Sequence, residues 1–147
     1  MDAKEYLQQA KQIDRIVRSK SEQLARLEAL AVSASPIFSE TGSVCHHDDS
    51  KGSKLENQVL GIIELKESIL RKTEELMRIR REINITLDSI NSLTHQYILE
   101  ERYLNYLSWD TMVDTTGFSK DYLYRLHRDG LKMVQAILDN FSIPSHK

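Results

Sequence analysis

The chain contains little cysteine, proline or glycine. The scarcity of each excludes a class of structure. It has 1 Cys, 2 Pro and 5 Gly in 147 residues. A single cysteine, Cys45, cannot form an intramolecular disulfide, which fits a reducing compartment. Few Pro and Gly residues predict few turns and therefore a small number of long elements. We expect a cytoplasmic protein of about one domain.

Long apolar runs are absent as well. No run reaches the roughly 18 residues that a membrane-spanning helix requires. The N-terminal segment carries charged side chains instead of the apolar core of a signal peptide; these are Asp2, Lys4, Glu5, Lys11 and Asp14. The sequence therefore predicts no membrane partner.

The composition favours long amphipathic helices over a compact globule. Hydrophobic residues make up 40% of the chain, charged residues 29% and aromatic residues only 7%. The formal net charge is −2. Because non-specific affinity for nucleic acid comes mostly from neutralised phosphates, this charge argues against binding by bulk electrostatics. Any DNA contact must come from a local patch or be helped by a partner.

Two segments have the apolar spacing of long helices, with a polar interval between them. Residues 2–31 and 55–90 carry apolar side chains at alternating steps of three and four. The first stripe consists of Ala3, Tyr6, Ala10, Ile13, Val17, Leu24, Leu27 and Ala31. In the second helix, the apolar face is widened by Leu60, Ile63, Leu70, Met77 and Ile79. Residues 32–54 are rich in Ser and Gly and include Pro36, which predicts a mobile loop.

The first helix can bury its stripe only against an element of similar length. Folding back on the second helix as an antiparallel hairpin is the simplest solution. Pairing with a second chain is the alternative, and interfacial charges would then select the partner.

Three shorter helical units follow a weakening of the pattern around Asn91. Ser108 is a good N-cap for the second unit, Gly117 and Phe118 form a turn, and Ser119 caps the third. Two short helices joined by a tight turn with Gly are typical of a helix-turn-helix. We therefore predict an all-α protein. A helical hairpin occupies residues 1–92, a helix-turn-helix bundle residues 93–141 and a tail residues 142–147.

A helix-turn-helix that reads DNA needs inward apolar residues and outward polar residues near the start of its second helix. Leu123 and Leu126 suit the inward positions. The predicted DNA-binding residues are Ser119, Lys120, Asp121, Tyr124, Arg125, Arg128 and Lys132. The arginines suit guanine or phosphate, Tyr124 suits phosphate or a thymine methyl, and the free amides at Ser119 suit phosphate. The alternative is a three-helix corner of a core that touches no DNA.

Residues 102–131 resemble region 4 of sigma factors, and more specifically a family of small phage and prophage proteins of Gram-positive bacteria. That family is grouped with late-transcription activators of the RinA and ArpU type. The matching residues are Arg102, Tyr103, Ser108, Trp109, Ser119, Tyr122, Tyr124, Arg125, Leu126 and His127. The N-terminal part resembles the family more loosely. This chain departs from the sigma-like pattern at Val113, Thr116 and Gly130. The resemblance implies a transcriptional regulator that reads a promoter-proximal site, with contact to RNA polymerase.

Catalytic and metal sites are not predicted. Residues 45–49 read Cys-His-His-Asp-Asp, but they lack the ligand spacing and the second cluster of a zinc site. The chain has no Gly-rich phosphate loop, no Ser-His-Asp arrangement and no nucleotide fingerprint. We expect His127 to be packed or bonded to a nearby carbonyl. The sequence thus predicts neither an enzyme nor a cofactor.

Three functions remain open at this point. The leading one is a phage-type regulator that binds double-stranded DNA, with the hairpin supplying a homodimer interface or contact with RNA polymerase. The second is a small terminase subunit that binds packaging-site DNA. The third is a coiled-coil interaction module without DNA binding.

Overall fold

The computed structural model describes residues 1–34 and 49–142 of the chain. Within these ranges the protein is all-helical, as predicted, and no strand is formed. The helices are α1 (Ala3–Ala34), α2 (Asp49–Asp88), α3 (Leu93–Tyr103), α4 (Trp109–Thr116) and α5 (Lys120–Ser142). None of these described helices combines the length with the low charge needed to cross a bilayer.

The two long helices extend into the interval predicted to be a loop. Helix α1 continues to Ala34 and α2 begins at Asp49, whereas the prediction placed the loop at residues 32–54. The Ser33 hydroxyl donates to the Leu30 carbonyl at 3.0 Å, so this serine is accommodated within the helix. Ser and Gly cost at most about 1 kcal/mol relative to Ala in a helix, so they weaken it without ending it. The rest of the predicted loop, including residues 45–48, lies outside the described residues.

The chain forms two compact units, and the first comprises Met1–Asp14 and Glu75–Lys147. Its larger core joins the first turns of α1 and the last turns of α2 to α3 and α5. The largest side chains fully buried there are Leu7, Ile83, Leu87, Leu99 and Val134. Burial of each contributes about 1.5–3 kcal/mol. Segments on both sides of the predicted boundary at residue 92 therefore share one core.

The first turns of α1 are held within this unit by a buried side chain and by a hydrogen bond to α2. The prediction placed Tyr6 on the buried stripe, and the side chain fully buried at that turn is Leu7. The Tyr6 hydroxyl instead reaches Thr86 Oγ1 on α2 at 2.9 Å. Since the Thr86 hydroxyl donates to the Glu82 carbonyl, it accepts from Tyr6. A partly buried hydroxyl pair of this kind satisfies groups that would otherwise be costly to desolvate.

The second unit, Arg15–Glu74, contains the remaining parts of α1 and α2. Glu28 and Lys66 form an ion pair across it at 3.4 Å. Both side chains are about half exposed, so the pair contributes less than about 1 kcal/mol. No side chain in the described part of this unit is buried. Leu60, Ile63 and Leu70, expected to widen a buried face, are 47–59% exposed.

The breaks on either side of α3 follow local signals. Helix α2 ends at Asp88, and Ser92 caps α3 by accepting the His95 N–H at 3.5 Å, which confirms the predicted weakening near Asn91. After α3, Tyr106 has φ 60°, a left-handed conformation that costs about 1–2 kcal/mol in a residue with a Cβ. The Arg80 guanidinium stabilises this connection, since it donates to the Tyr106 hydroxyl at 3.1 Å and to the Leu104 carbonyl at 3.2 Å.

Gly130 lies in the middle of α5, where glycine lowers helix stability. Its position is buried, and a Cβ built there would lie 3.0 Å from Leu99 Cδ1 and 3.2 Å from Leu99 Cγ. Leu99 is itself fully buried on α3 and has little room to move. Glycine at 130 therefore permits the close approach of α3 and α5, which accounts for this departure from the sigma-like pattern.

Gly130 and Gly61, which both lie within helices, allow a matched test of that packing. Gly61→Ala meets no atom within 4 Å, so it should raise the free energy of unfolding by about 0.5–1 kcal/mol. Gly130→Ala should lower it by about 1 kcal/mol, because overpacking against Leu99 outweighs the gain in helix propensity. Urea unfolding followed by far-ultraviolet circular dichroism measures both. Equal stabilisation by the two substitutions would contradict the close approach of α3 and α5.

Candidate nucleic-acid interface

Helix α4 begins and ends at the residues that the sequence predicted. The Ser108 side chain accepts the Thr111 N–H at 3.2 Å, which confirms its role as N-cap. Gly117 has φ 73° at the C-cap, and its N–H donates to the Val113 carbonyl at 2.9 Å. Because a Cβ disfavours this left-handed conformation, glycine ends α4 at the least cost.

Thr116, a departure from the sigma-like pattern, closes the turn between α4 and α5. Its hydroxyl donates to the Met112 carbonyl at 2.6 Å and accepts the Phe118 N–H at 3.1 Å. Two backbone groups at the helix end are thereby satisfied. The hydroxyl thus supplies a connection that an apolar residue at this position would lack.

Helix α5 starts at the predicted cap. The Ser119 side chain accepts the Tyr122 N–H at 3.2 Å, and the Phe118 and Tyr122 rings meet edge to face at 5.0 Å. One of the free amides at this end is therefore already occupied by Ser119. The turn of residues 117–119 is fixed at both ends by side-chain hydrogen bonds.

A small apolar cluster holds the two helices against α3. It consists of Ile98 from α3, Met112 from α4, and Leu123 and Leu126 from α5. Leu123 is fully buried and Leu126 is 5% exposed, which confirms that both face inward. The opposite side of the first turns of α5 is therefore left to solvent.

All seven predicted DNA-binding residues are exposed. They are Ser119, Lys120, Asp121, Tyr124, Arg125, Arg128 and Lys132. Arg125, Arg128 and Lys132 form no ion pair with any other described residue. They are spaced i, i+3 and i+7, so they lie along one side of the helix. Three cationic groups are therefore available on α5 for an anionic partner.

Lys120 differs from the other bases because it already has a partner. Its ammonium lies 3.2 Å from Asp110 Oδ1 in the first turn of α4. This hydrogen bond and the carboxylate charge raise the pKa of Lys120 above its ordinary value. Asp110 also lies close to the start of α5, where it opposes an incoming phosphate. Lys120 is thus less available to an anionic partner than Arg125, Arg128 and Lys132.

Five residues of the sigma-like match converge where α3, α4 and α5 meet. The Trp109 ring contacts Tyr124 and His127 edge to face, each at 5.0 Å. The Arg102 guanidinium lies 4.7 Å from the Trp109 ring centre, and Tyr103 Oη is 2.7 Å from His127 Nε2. Edge-to-face and cation–π contacts of this kind each contribute about 0.5–1.5 kcal/mol. These residues hold the helices together and position the Tyr124 ring.

His127 is packed against the rings of Tyr103 and Trp109, as expected, and its Nε2 bonds to the Tyr103 hydroxyl instead of a carbonyl. Burial lowers the pKa of His127 to about 4, with the nearby charges of Arg102 and Lys4 acting in the same direction. Burial also raises the pKa of Tyr103 to about 12. At neutral pH both groups are uncharged, so their hydrogen bond carries no buried charge.

Sequence reasoning missed Lys4. This residue of α1 lines the same cleft as Arg128, Lys132 and Gln135 of α5. Helical spacing relates residues within one segment, so no local pattern connects Lys4 with Arg128. Only the packing of α1 on α5 adds this fourth base to the surface.

The pKa of His127 predicts an acid-sensitive contribution to stability. The unfolded chain binds a proton at His127 below pH of about 6.5, while the folded chain resists it down to about pH 4. Stability is therefore fully present above pH 6.5 and is lost as the pH falls toward 4. The full pKa shift of His127 would contribute about 3 kcal/mol to the free energy of unfolding. Because the side chain is partly exposed, we expect about 1–2 kcal/mol.

His127→Gln keeps a polar partner for Tyr103 and removes the titrating group. Between pH 7 and pH 4, the free energy of unfolding of the variant should fall by about 1–2 kcal/mol less than that of the wild type. Urea unfolding at both pH values gives this difference. The same loss in both proteins would show that His127 does not carry the effect.

The comparisons with known proteins give a family without an assigned role. No curated protein and no solved structure matches the chain. The family model described as "Protein of unknown function (DUF1492)" matches residues 46–135. That range covers more than half of the chain and includes α3, α4 and most of α5. The chain therefore belongs to the DUF1492 family.

Proposed function

We propose that this protein is a DNA-binding transcriptional regulator of phage type, in which α4 and α5 act as a sigma-region-4-like helix-turn-helix. One observation carries the proposal: α5 buries Leu123 and Leu126 against α3 and α4 while all seven predicted contact residues face solvent. This is the division of faces that a recognition helix requires.

The contacts available on α5 suit the major groove of a promoter-proximal site. The groove is about 12 Å wide and admits one helix. The Arg125 guanidinium, free of any ion pair within the described residues, suits the bidentate contact with guanine. Trp109 holds the Tyr124 ring in place, which lowers the entropy that Tyr124 loses on contact with DNA.

The charge distribution favours a regulator that acts beside a larger complex. The net charge is −2, and Asp110 and Asp121 lie at the start of α4 and α5. Non-specific affinity is therefore low, because few phosphates are neutralised. Contact with RNA polymerase would add affinity by joining two weak interactions.

A homodimer through the unit Arg15–Glu74 is the second proposed partner. No side chain in its described part is buried, although α1 and α2 are ion-paired there. Exposed apolar side chains on paired helices are typical of an interaction surface. Within this unit α2 has as many acids as bases and α1 has an excess of bases, so strong like-charge repulsion does not oppose self-association.

Arg125→Ala combined with Arg128→Ala should weaken binding to DNA from the protein's own genetic neighbourhood by at least tenfold. Each side chain contributes a base or phosphate contact worth about 1–3 kcal/mol. Arg78→Ala combined with Arg81→Ala is the matched control, since it removes the same charge from exposed positions on α2 outside the unit Arg15–Glu74. Fluorescence anisotropy with labelled duplexes measures both. Equal affinity of the two double variants would count against α5 as the reading helix.

Leu70→Glu should shift the protein from dimer to monomer in sedimentation equilibrium. Ile85→Glu is the matched control, because Ile85 lies on the same helix outside this unit and is 60% exposed, against 59% for Leu70. Both substitutions affect exposed positions and should leave the monomer's fold intact. A wild-type protein that remains monomeric at high concentration would exclude the homodimer.

A further inference from the structure

The first turn of α1 is fixed against α5 by its backbone. The Ala3 N–H donates to Gln135 Oε1 at 2.8 Å, and Ala3 is 4% exposed. Asp2 and Glu5 cap the helix reciprocally. The Asp2 side chain accepts the Glu5 N–H at 2.8 Å, and the Glu5 side chain accepts the Asp2 N–H at 3.1 Å. Lys4 lies within this turn, so its position relative to α5 is determined by packing.

Lys4 joins two bases of α5 around one open cleft. The cleft is lined by Asp2, Ala3, Lys4, Arg128, Leu131, Lys132 and Gln135. Lys4, Arg128 and Lys132 are exposed and form no ion pair with other described residues. The Asp2 carboxylate, the one acid in the lining, already accepts the Glu5 N–H. The cleft therefore has an excess of positive charge and suits an anion.

The position of this cleft along α5 separates it from the part expected to read bases. Lys132 follows Lys120 by about 18 Å along the axis, at 1.5 Å per residue. That distance exceeds the roughly 12 Å width of the major groove. If the first turns of α5 lie in the groove, Arg128 and Lys132 reach the phosphates at its edge, and Lys4 lies beside them.

We infer that Lys4, Arg128 and Lys132 form a phosphate-binding surface that contacts the DNA backbone beside the groove read by Arg125. The inference rests on the proposed function and deepens it, because it assigns positioning and sequence reading to different residues. Phosphate contacts fix the register of a protein on DNA and carry no sequence information.

Lys4→Ala tests this assignment, and Arg81→Ala on α2 is the control at an exposed base outside the unit Arg15–Glu74. Anisotropy titrations use a set of duplexes of different sequence over a range of salt concentrations. Lys4→Ala should weaken binding to every duplex by a similar factor of about three to ten, and the slope of log K against log[salt] should fall by about 1. Lys4→Arg should restore both, and Arg81→Ala should behave like the wild type.

The outcomes separate the inference from the proposed function. Wild-type affinity and salt slope in Lys4→Ala would overturn the phosphate surface while leaving the DNA-binding proposal in place. A loss confined to certain duplexes would also overturn it, because Lys4 would then contact bases. Failure of the wild type to bind any duplex would refute the proposed function, and the inference with it. Circular dichroism of Lys4→Ala checks that the variant keeps the helical content of the wild type.

Discussion

Helix α5 has one apolar side. The way in which that side is buried determines which residues of α5 face solvent. Its first turns pack on Ile98 and Met112, and its later turns place Val134 in the larger core with Leu99. Two buried clusters thus fix the rotation of a single helix about its axis. Because close-packed cores do not deform continuously, the outward side of α5 is set with little freedom. The exposed arginines and the cleft beside Lys4 follow from that rotation.

Polar and aromatic contacts join α5 to α3 and α4. Thr116 closes the turn before α5, and Trp109 ties α4 to both Tyr124 and His127. The neutral pair of Tyr103 and His127 links α3 to α5 without burying a charge. The bases of α5 instead lie on its exposed side, where solvent keeps the cost of their charge low. A chain with a net charge of −2 can present a cationic surface in this way.

Local signals in the sequence predicted the C-terminal elements well. Ser108, Gly117 and Ser119 act on backbone groups two to four residues away, so their roles can be derived from neighbouring residues alone. Helical periodicity likewise placed Leu123 and Leu126 inward. The same reasoning chose Tyr6 over Leu7, because both positions lie three or four residues from Ala3 and Ala10 and only the partner helix distinguishes them.

Other features depend on contacts between segments distant in sequence. The cleft at Lys4 and the bond between Tyr103 and His127 exist only after the helices pack. Glycine at position 130 is explained only by Leu99, which packs against it from α3. The ends of the predicted loop were misplaced because Ser and Gly weaken a helix without ending it.

We propose that the outward side of α5 is the surface that contacts DNA. Two-dimensional NMR of the isotope-labelled protein, titrated with a duplex from its own genetic neighbourhood, locates the contact residue by residue. We predict that amide signals of residues 119–132 and of the first turn of α1 shift together, while residues 15–33 and 55–74 keep their positions. Shifts confined to residues 15–33 and 55–74, or no shift with any duplex, would contradict the account.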